Sequence, residues 1–185
     1  MRLSVGRGRA YGPIMTPSDT VPTTRRLRTR SLVAAVLLAL TPSLAGALPA
    51  SAVTQASAAS QFSAAGITWS SSGGCTTRSN PTCTSFEGIR QTTIDGAKTL
   101  KSASGCALNI TGGTEVGHAS GTYSHYNGYK LDFSKTTCLT SYVHNNFTYI
   151  GLRGDGYPQY RSGAGNVYAD EGSHWDVTFY NCGGC

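Results

Sequence analysis

The sequence predicts a small α+β domain in which one long helix packs on a largely antiparallel sheet. Three observations lead there. Phe86, Ile89, Ile94, Ala97 and Leu100 recur at near-helical spacing. Short strand-like runs follow at 106–111, 129–133, 148–152 and 174–180, separated by Gly, Asn and Ser. All six cysteines lie after residue 74, an even count that fits a disulfide-stabilised exported domain.

Residues 1–52 read as a leader ending in a secretory signal. Arg25, Arg26, Arg28 and Arg30 form a basic n-region, residues 32–48 are apolar, and Ala50-Ser51-Ala52 is a small-residue cleavage site. The expected mature chain begins near Val53, secreted or at the wall of a bacterium, with no stable membrane association after cleavage. The leader holds seven Arg against one Asp, which is the whole formal charge of +6. Residues 53–185 balance eight basic against eight acidic side chains. The basic balance thus belongs to export, and it gives no argument for a nucleic-acid partner.

Within the mature chain, the Ala- and Ser-rich stretch 53–66 is expected as a flexible lead-in and 67–185 as a single, monomeric domain. Residues 67–70 suit a short strand. Thr84 with Glu87 three residues on has the capping-box pattern, which starts the long helix at about residue 85; it runs to 102 and stops at Ser104-Gly105. Residues 135–145 suit a second helix. The Gly-rich segment 153–171 suits loops with one short strand. The expected disulfides are Cys75–Cys83 across Ser79-Asn80-Pro81, Cys106–Cys138 and Cys182–Cys185. The last pair is not half of a zinc ribbon, since the sequence has no second Cys-x-x-Cys.

Two clusters carry chemistry: His125-Tyr126-Asn127-Gly128-Tyr129-Lys130-Leu131-Asp132 and Glu171-Gly172-Ser173-His174-Trp175-Asp176. A catalytic zinc site needs three protein ligands, an open position and a nearby acid/base. His125 and Asp132 would face opposite sides of one extended strand. Asn127-Gly128 is a type I′ hairpin signal; placed at the turn, it pairs His125 with Lys130 and sets Asp132 diagonal to His125 on the same face. His174 and Asp176 share one face of the last strand, with Trp175, Val177 and Phe179 on the other. Glu171 precedes that strand, where a base can stand beside a metal without ligating it.

His125-x-x-Gly128-x-x-x-Asp132 followed by Glu171-x-x-His174 resembles the zinc D-Ala-D-Ala carboxypeptidase and dipeptidase group of cell-wall peptidases. Related endopeptidases belong to that group, and the hedgehog signalling domain shares its fold. The resemblance covers roughly residues 84–180. It implies a hedgehog-like fold and one catalytic Zn2+ held by His125, Asp132 and His174. It also implies a peptidoglycan stem peptide as substrate, with Glu171 as the base that activates water and then protonates the leaving amine. The chain departs from the family motif Ser-x-His-x-x-Gly-x-Ala-x-Asp at Tyr123, in the Ser position, and at Lys130, in the Ala position. The loop 113–118 also lacks the family's substrate-holding Arg and carries Glu115 and His118 instead. The expected substrate contacts are therefore His118, Glu115, Lys130 and Arg153, with Arg161 as a further candidate. The alternative is a secreted, disulfide-stabilised binding module on the same fold, its zinc structural or lost.

Overall fold

Seven strands form one mixed sheet, in the order β1-β2-β3-β7-β6-β5-β4, in a computed structural model that describes residues 52–180. The strands are β1 (Thr68–Trp69), β2 (Asn109–Gly112), β3 (Lys130–Ser134), β4 (Thr148–Leu152), β5 (Pro158–Arg161), β6 (Val167–Asp170) and β7 (His174–Thr178). The helices are α1 (Gln55–Ala64), α2 (Gln91–Ser104) and α3 (Thr137–Asn146). Only β1 and β2 run parallel; every other neighbouring pair is antiparallel. The expected signal segment through Ser51 and the expected Cys182–Cys185 bridge lie outside the described residues.

Strand alternation divides the sheet's two faces. Leu131 and Phe133 of β3 and Trp175 and Val177 of β7 are fully buried in one core with Ile94, Ala97 and Leu100 of α2 and Leu139 and Val143 of α3. Trp175 Nε1 donates to Thr140 Oγ1 on α3 at 3.2 Å. The residues between them, Asp132, His174 and Asp176, therefore point to the other face. The helices cover one side of the sheet and leave that side for chemistry.

The expected long N-terminal helix is shorter and starts later. Helix α2 has 14 residues, with Arg90 as its N-cap. The capping box does not form, because its members are used elsewhere. Thr84 Oγ1 donates to the carbonyls of Ser70 and Thr111, and Glu87 accepts from the backbone N–H of Gln55. The C-terminus falls as expected, at Gly105 in the left-handed conformation (φ 66°).

The stretch expected as a flexible lead-in is helix α1. Thr54 caps it, accepting from Ser57 N–H, and Ala58 and Phe62 sit one turn apart in the core. The Phe62 ring meets Phe86 edge-on at 4.9 Å. Alanine is the strongest helix former, so the composition that reads as a linker becomes a helix once Phe62 supplies an anchor. The Gly-rich segment 153–171 holds two strands, β5 and β6, rather than one. Cys75–Cys83 and Cys106–Cys138 are bonded as expected; the second ties the entry of β2 to α3. No helix among the described residues is long and apolar enough to cross a membrane.

The Asn127-Gly128 hairpin is absent. Residues 121–128 form a run of turns, with Gly128 N–H donating to the His125 carbonyl and Tyr129 N–H to that of Ser124. Strand β3 pairs with β2 and β7 instead. Gly128 has φ 75°, and a Cβ there would lie 2.7 Å from the Gly88 carbonyl oxygen. That close approach, not a hairpin, is what the glycine permits.

Candidate metal centre

The register of β3 against β7 places Asp132 directly opposite Asp176 and Ser134 opposite His174. On the other side of β3, a bulge lies between Ile110 and Gly112 of β2, which brings Gly112 opposite Asp132. A bulge re-aims side chains locally. A Cβ on Gly112 would stand 2.3 Å from Asp132 Oδ2, so only glycine leaves room for that carboxylate.

His125 reaches the same place from the turn segment. Its Nδ1 lies 2.8 Å from the Gly113 carbonyl, which makes Nδ1 a donor and turns Nε2 into the cavity. That Nε2 is 3.2 Å from Asp132 Oδ1 and 3.6 Å from Asp176 Oδ1. Both of these carboxylate oxygens are buried, and neither has an aligned hydrogen-bond partner. His174 Nε2 lies 3.7 Å from Asp132 Oδ1 and 3.3 Å from Glu171 Oε2.

The residues that the sequence singles out do lie together, but not through a hairpin. A cavity of about 390 Å3 is lined by His118, His125, Lys130, Asp132, Arg153, Glu171 and His174, with Asp155 and Asp176. Glu115 sits beside it, 2 % exposed, and bonds His118. Asp176 was missed as a site residue. Its signal was present: it shares a strand face with His174, and alternation aims both at one side. Asp155 has no such signal, being a loop residue that follows Arg153.

Charge is concentrated here. Asp176 Oδ2 accepts from Lys130 Nζ at 2.6 Å and from an Arg153 terminal nitrogen at 2.8 Å. Arg153 also engages Glu171 and Asp155. Burial disfavours a charged His125, but the carboxylates of Asp132 and Asp176 close to its Nε2 outweigh it and raise its pKa to about 10. Burial works to raise Asp176, yet His125 and Lys130 hold it well below the usual carboxylate range. Hydrogen bonds with Asp155 and Glu171 hold Arg153 charged against its partial burial. The pocket floor thus demands positive charge. A proton on His125 is one way to supply it, and a metal ion another.

Glu115 is also held as an anion: burial raises it, but His118 and the backbone N–H groups of Ser85 and Gly113 lower it. The ligand atoms of His118, His125 and Asp132 all lie within 4.8 Å of one another, so this group could hold a metal ion. His174 approaches the group through Asp132. The donors are imidazole nitrogen and carboxylate oxygen, a set that suits zinc. The two unsatisfied carboxylate oxygens beside His125 Nε2 fit a cation, which would take the place of the proton that His125 otherwise holds between them.

Comparison with known proteins finds no matching family model, no matching curated protein and no matching solved structure.

Proposed function

We propose that this chain is a secreted zinc peptidase that hydrolyses a peptide-stem bond of bacterial peptidoglycan, as a D-Ala-D-Ala carboxypeptidase or related endopeptidase. The observation that carries the proposal is that the unsatisfied Oδ1 atoms of Asp132 and Asp176 converge on His125 Nε2, where a cation would sit. His125, Asp132 and His174 are the proposed ligands, and Glu171 is the proposed base. Support for a hedgehog-like peptidase fold comes from a sheet with helices on one face and the metal-ligating types on the other.

Zinc at this position would polarise a substrate carbonyl and lower the pKa of water to near 7. The chain's own residues do the rest. Glu171 takes a proton from the attacking water as it adds to the amide carbon. The same carboxyl then gives that proton to the leaving nitrogen as the C–N bond breaks, so one amide and one water become a carboxylic acid and an amine, which end as carboxylate and ammonium once the acid's proton passes to the amine. Arg153, bonded to Glu171 and to Asp176, holds the base beside His174. Lys130 and Arg153 leave cationic groups at the cavity wall, where they can meet a substrate carboxylate.

The test is purified peptidoglycan incubated with the zinc-loaded chain, with and without chelator, and read by mass spectrometry of released fragments. Cleavage that needs zinc and Glu171 supports the proposal. Unchanged peptidoglycan sinks it and leaves the second reading, a binding module with structural zinc. That reading is favoured by one observation: Arg153 occupies Glu171, as it would if the carboxylate served structure rather than proton transfer.

A further inference from the structure

We propose that His118 is a metal ligand in this site and that Glu115 is the residue that positions it. The inference rests on the reading that the cavity holds a metal, and it goes beyond the ligand set taken from the sequence.

The two imidazoles are prepared in the same way. Each has one ring nitrogen committed to an acceptor outside the cavity. His125 gives Nδ1 to the Gly113 carbonyl at 2.8 Å, and His118 gives Nε2 to Glu115 Oε1 at 3.0 Å. Each then turns its other nitrogen toward Asp132: His125 Nε2 at 3.2 Å from Oδ1, and His118 Nδ1 at 3.9 Å from Oδ2. The rings lie nearly parallel, at 16°, with centroids 3.9 Å apart. A histidine that ligates a metal almost always donates its other N–H to a carboxylate, carbonyl or water, which fixes its tautomer and orientation. Glu115 and Gly113 are such partners.

Glu115 is built for this task. Its carboxylate accepts from Ser85 N–H at 2.7 Å and from Gly113 N–H at 3.0 Å and 3.1 Å. It is buried, yet among the described residues its one side-chain partner is His118. A charge this deep is retained at a desolvation cost, and orienting an imidazole gives it a use. Ligand atoms around a tetrahedral zinc with bonds of about 2.0–2.1 Å stand roughly 3.3 Å apart. The ligand atoms of His118, His125 and Asp132 lie within 4.8 Å of one another, so reaching that spacing takes up to about 1.5 Å of closure, and the His118 side chain, 26 % exposed, has room to move. Zinc also expands to five ligands, so His118 does not by itself close the site to substrate.

The test has two arms, neither of which reads activity. X-ray absorption fine structure on the zinc-loaded full chain counts imidazoles, and competition with a chromophoric chelator measures zinc affinity for His118→Ala, Glu115→Gln and His125→Ala. The expected results are three imidazoles in the unaltered chain, two in His118→Ala, and affinity at least tenfold weaker in His118→Ala. Glu115→Gln should lose about 10–100-fold, the usual effect of removing an outer-shell partner. His118→Ala with unaltered affinity and an unaltered imidazole count overturns the proposal; a weakened His125→Ala alongside it leaves the metal site standing. Zinc bound by none of the chains overturns both. The absorption arm on the unaltered chain decides the question even if Glu115→Gln does not fold, and a count of two imidazoles there contradicts it.

Discussion

Asp132 and Asp176 are cross-strand partners in the pairing of β3 with β7, and each has a buried oxygen that accepts no hydrogen bond. Like charges directly opposite on a sheet destabilise it, and a buried carboxylate without a partner costs still more. Lys130 and Arg153 answer the outer oxygen of Asp176. The inner oxygens face His125. Positive charge between them relieves the repulsion, whether as a proton on His125 or as a bound cation.

Metal should therefore stabilise the fold. At zinc a hundredfold above its dissociation constant, the expected gain is about 2.7 kcal/mol, visible as a higher Tm by scanning fluorimetry. Asp132→Asn should lose most of that shift. A chain whose melting does not respond to zinc or to chelator contradicts the prediction.

Glu171→Gln should keep zinc and lose peptide hydrolysis by about 10²–10⁴-fold, the range for a positioned acid/base. Glutamine matches the carboxylate in shape and still accepts from Arg153, so metal content should be unchanged. Atomic absorption on the purified variant checks the first half, and fragment release from peptidoglycan the second. Full activity would remove Glu171 from the mechanism.

Gly112→Ala should act on the site from outside it. The new Cβ would collide with Asp132 Oδ2, 2.3 Å away, and push the carboxylate off its place. The expected cost to stability is about 1–3 kcal/mol, typical of overpacking, together with weaker zinc binding. Denaturant unfolding and zinc titration of the variant report the two effects separately. Unaltered zinc affinity would show that Asp132 has freedom to move.

Replacing Cys106 and Cys138 together by serine should lower stability by about 3–4 kcal/mol, the chain-entropy value for a bridge spanning 32 residues. Opening Cys75–Cys83, which spans 8, should cost less, about 2–3 kcal/mol. Urea midpoints of the two double variants give the order. The reverse order would mean that the short bridge holds the loop 71–84 against the site loop through Arg78, which donates to the Thr114 carbonyl.

Elements whose signal is local were legible in the sequence. Strands β3, β4 and β7, helix α3 and two disulfides fall where alternation, periodicity and cysteine spacing placed them. The failures share a cause: a distant partner decides the local outcome. Thr84 has a capping pattern but spends its hydroxyl on Ser70 and Thr111. Asn127-Gly128 is a hairpin signal, yet β3 finds better partners in β2 and β7. Residues 53–66 read as a linker until Phe62 meets Phe86. At the site, His125, Asp132, Glu171 and His174 were legible as chemical types. Asp176 shares the His174 face by alternation, but its position opposite Asp132 depends on strand register; the Glu115–His118 pair was not legible, because it depends on backbone N–H groups of Ser85 and Gly113 that fold around Glu115.

The central claim is a metal ion held between His125 and Asp132, on the face where Asp176 is opposed. Crystals of the zinc-loaded protein, measured on both sides of the zinc absorption edge, locate it directly. One strong anomalous peak is expected within about 2.0–2.2 Å of His125 Nε2 and of an Asp132 carboxylate oxygen. No peak in this cavity at saturating zinc, or a peak that His125 and Asp132 do not touch, would contradict it.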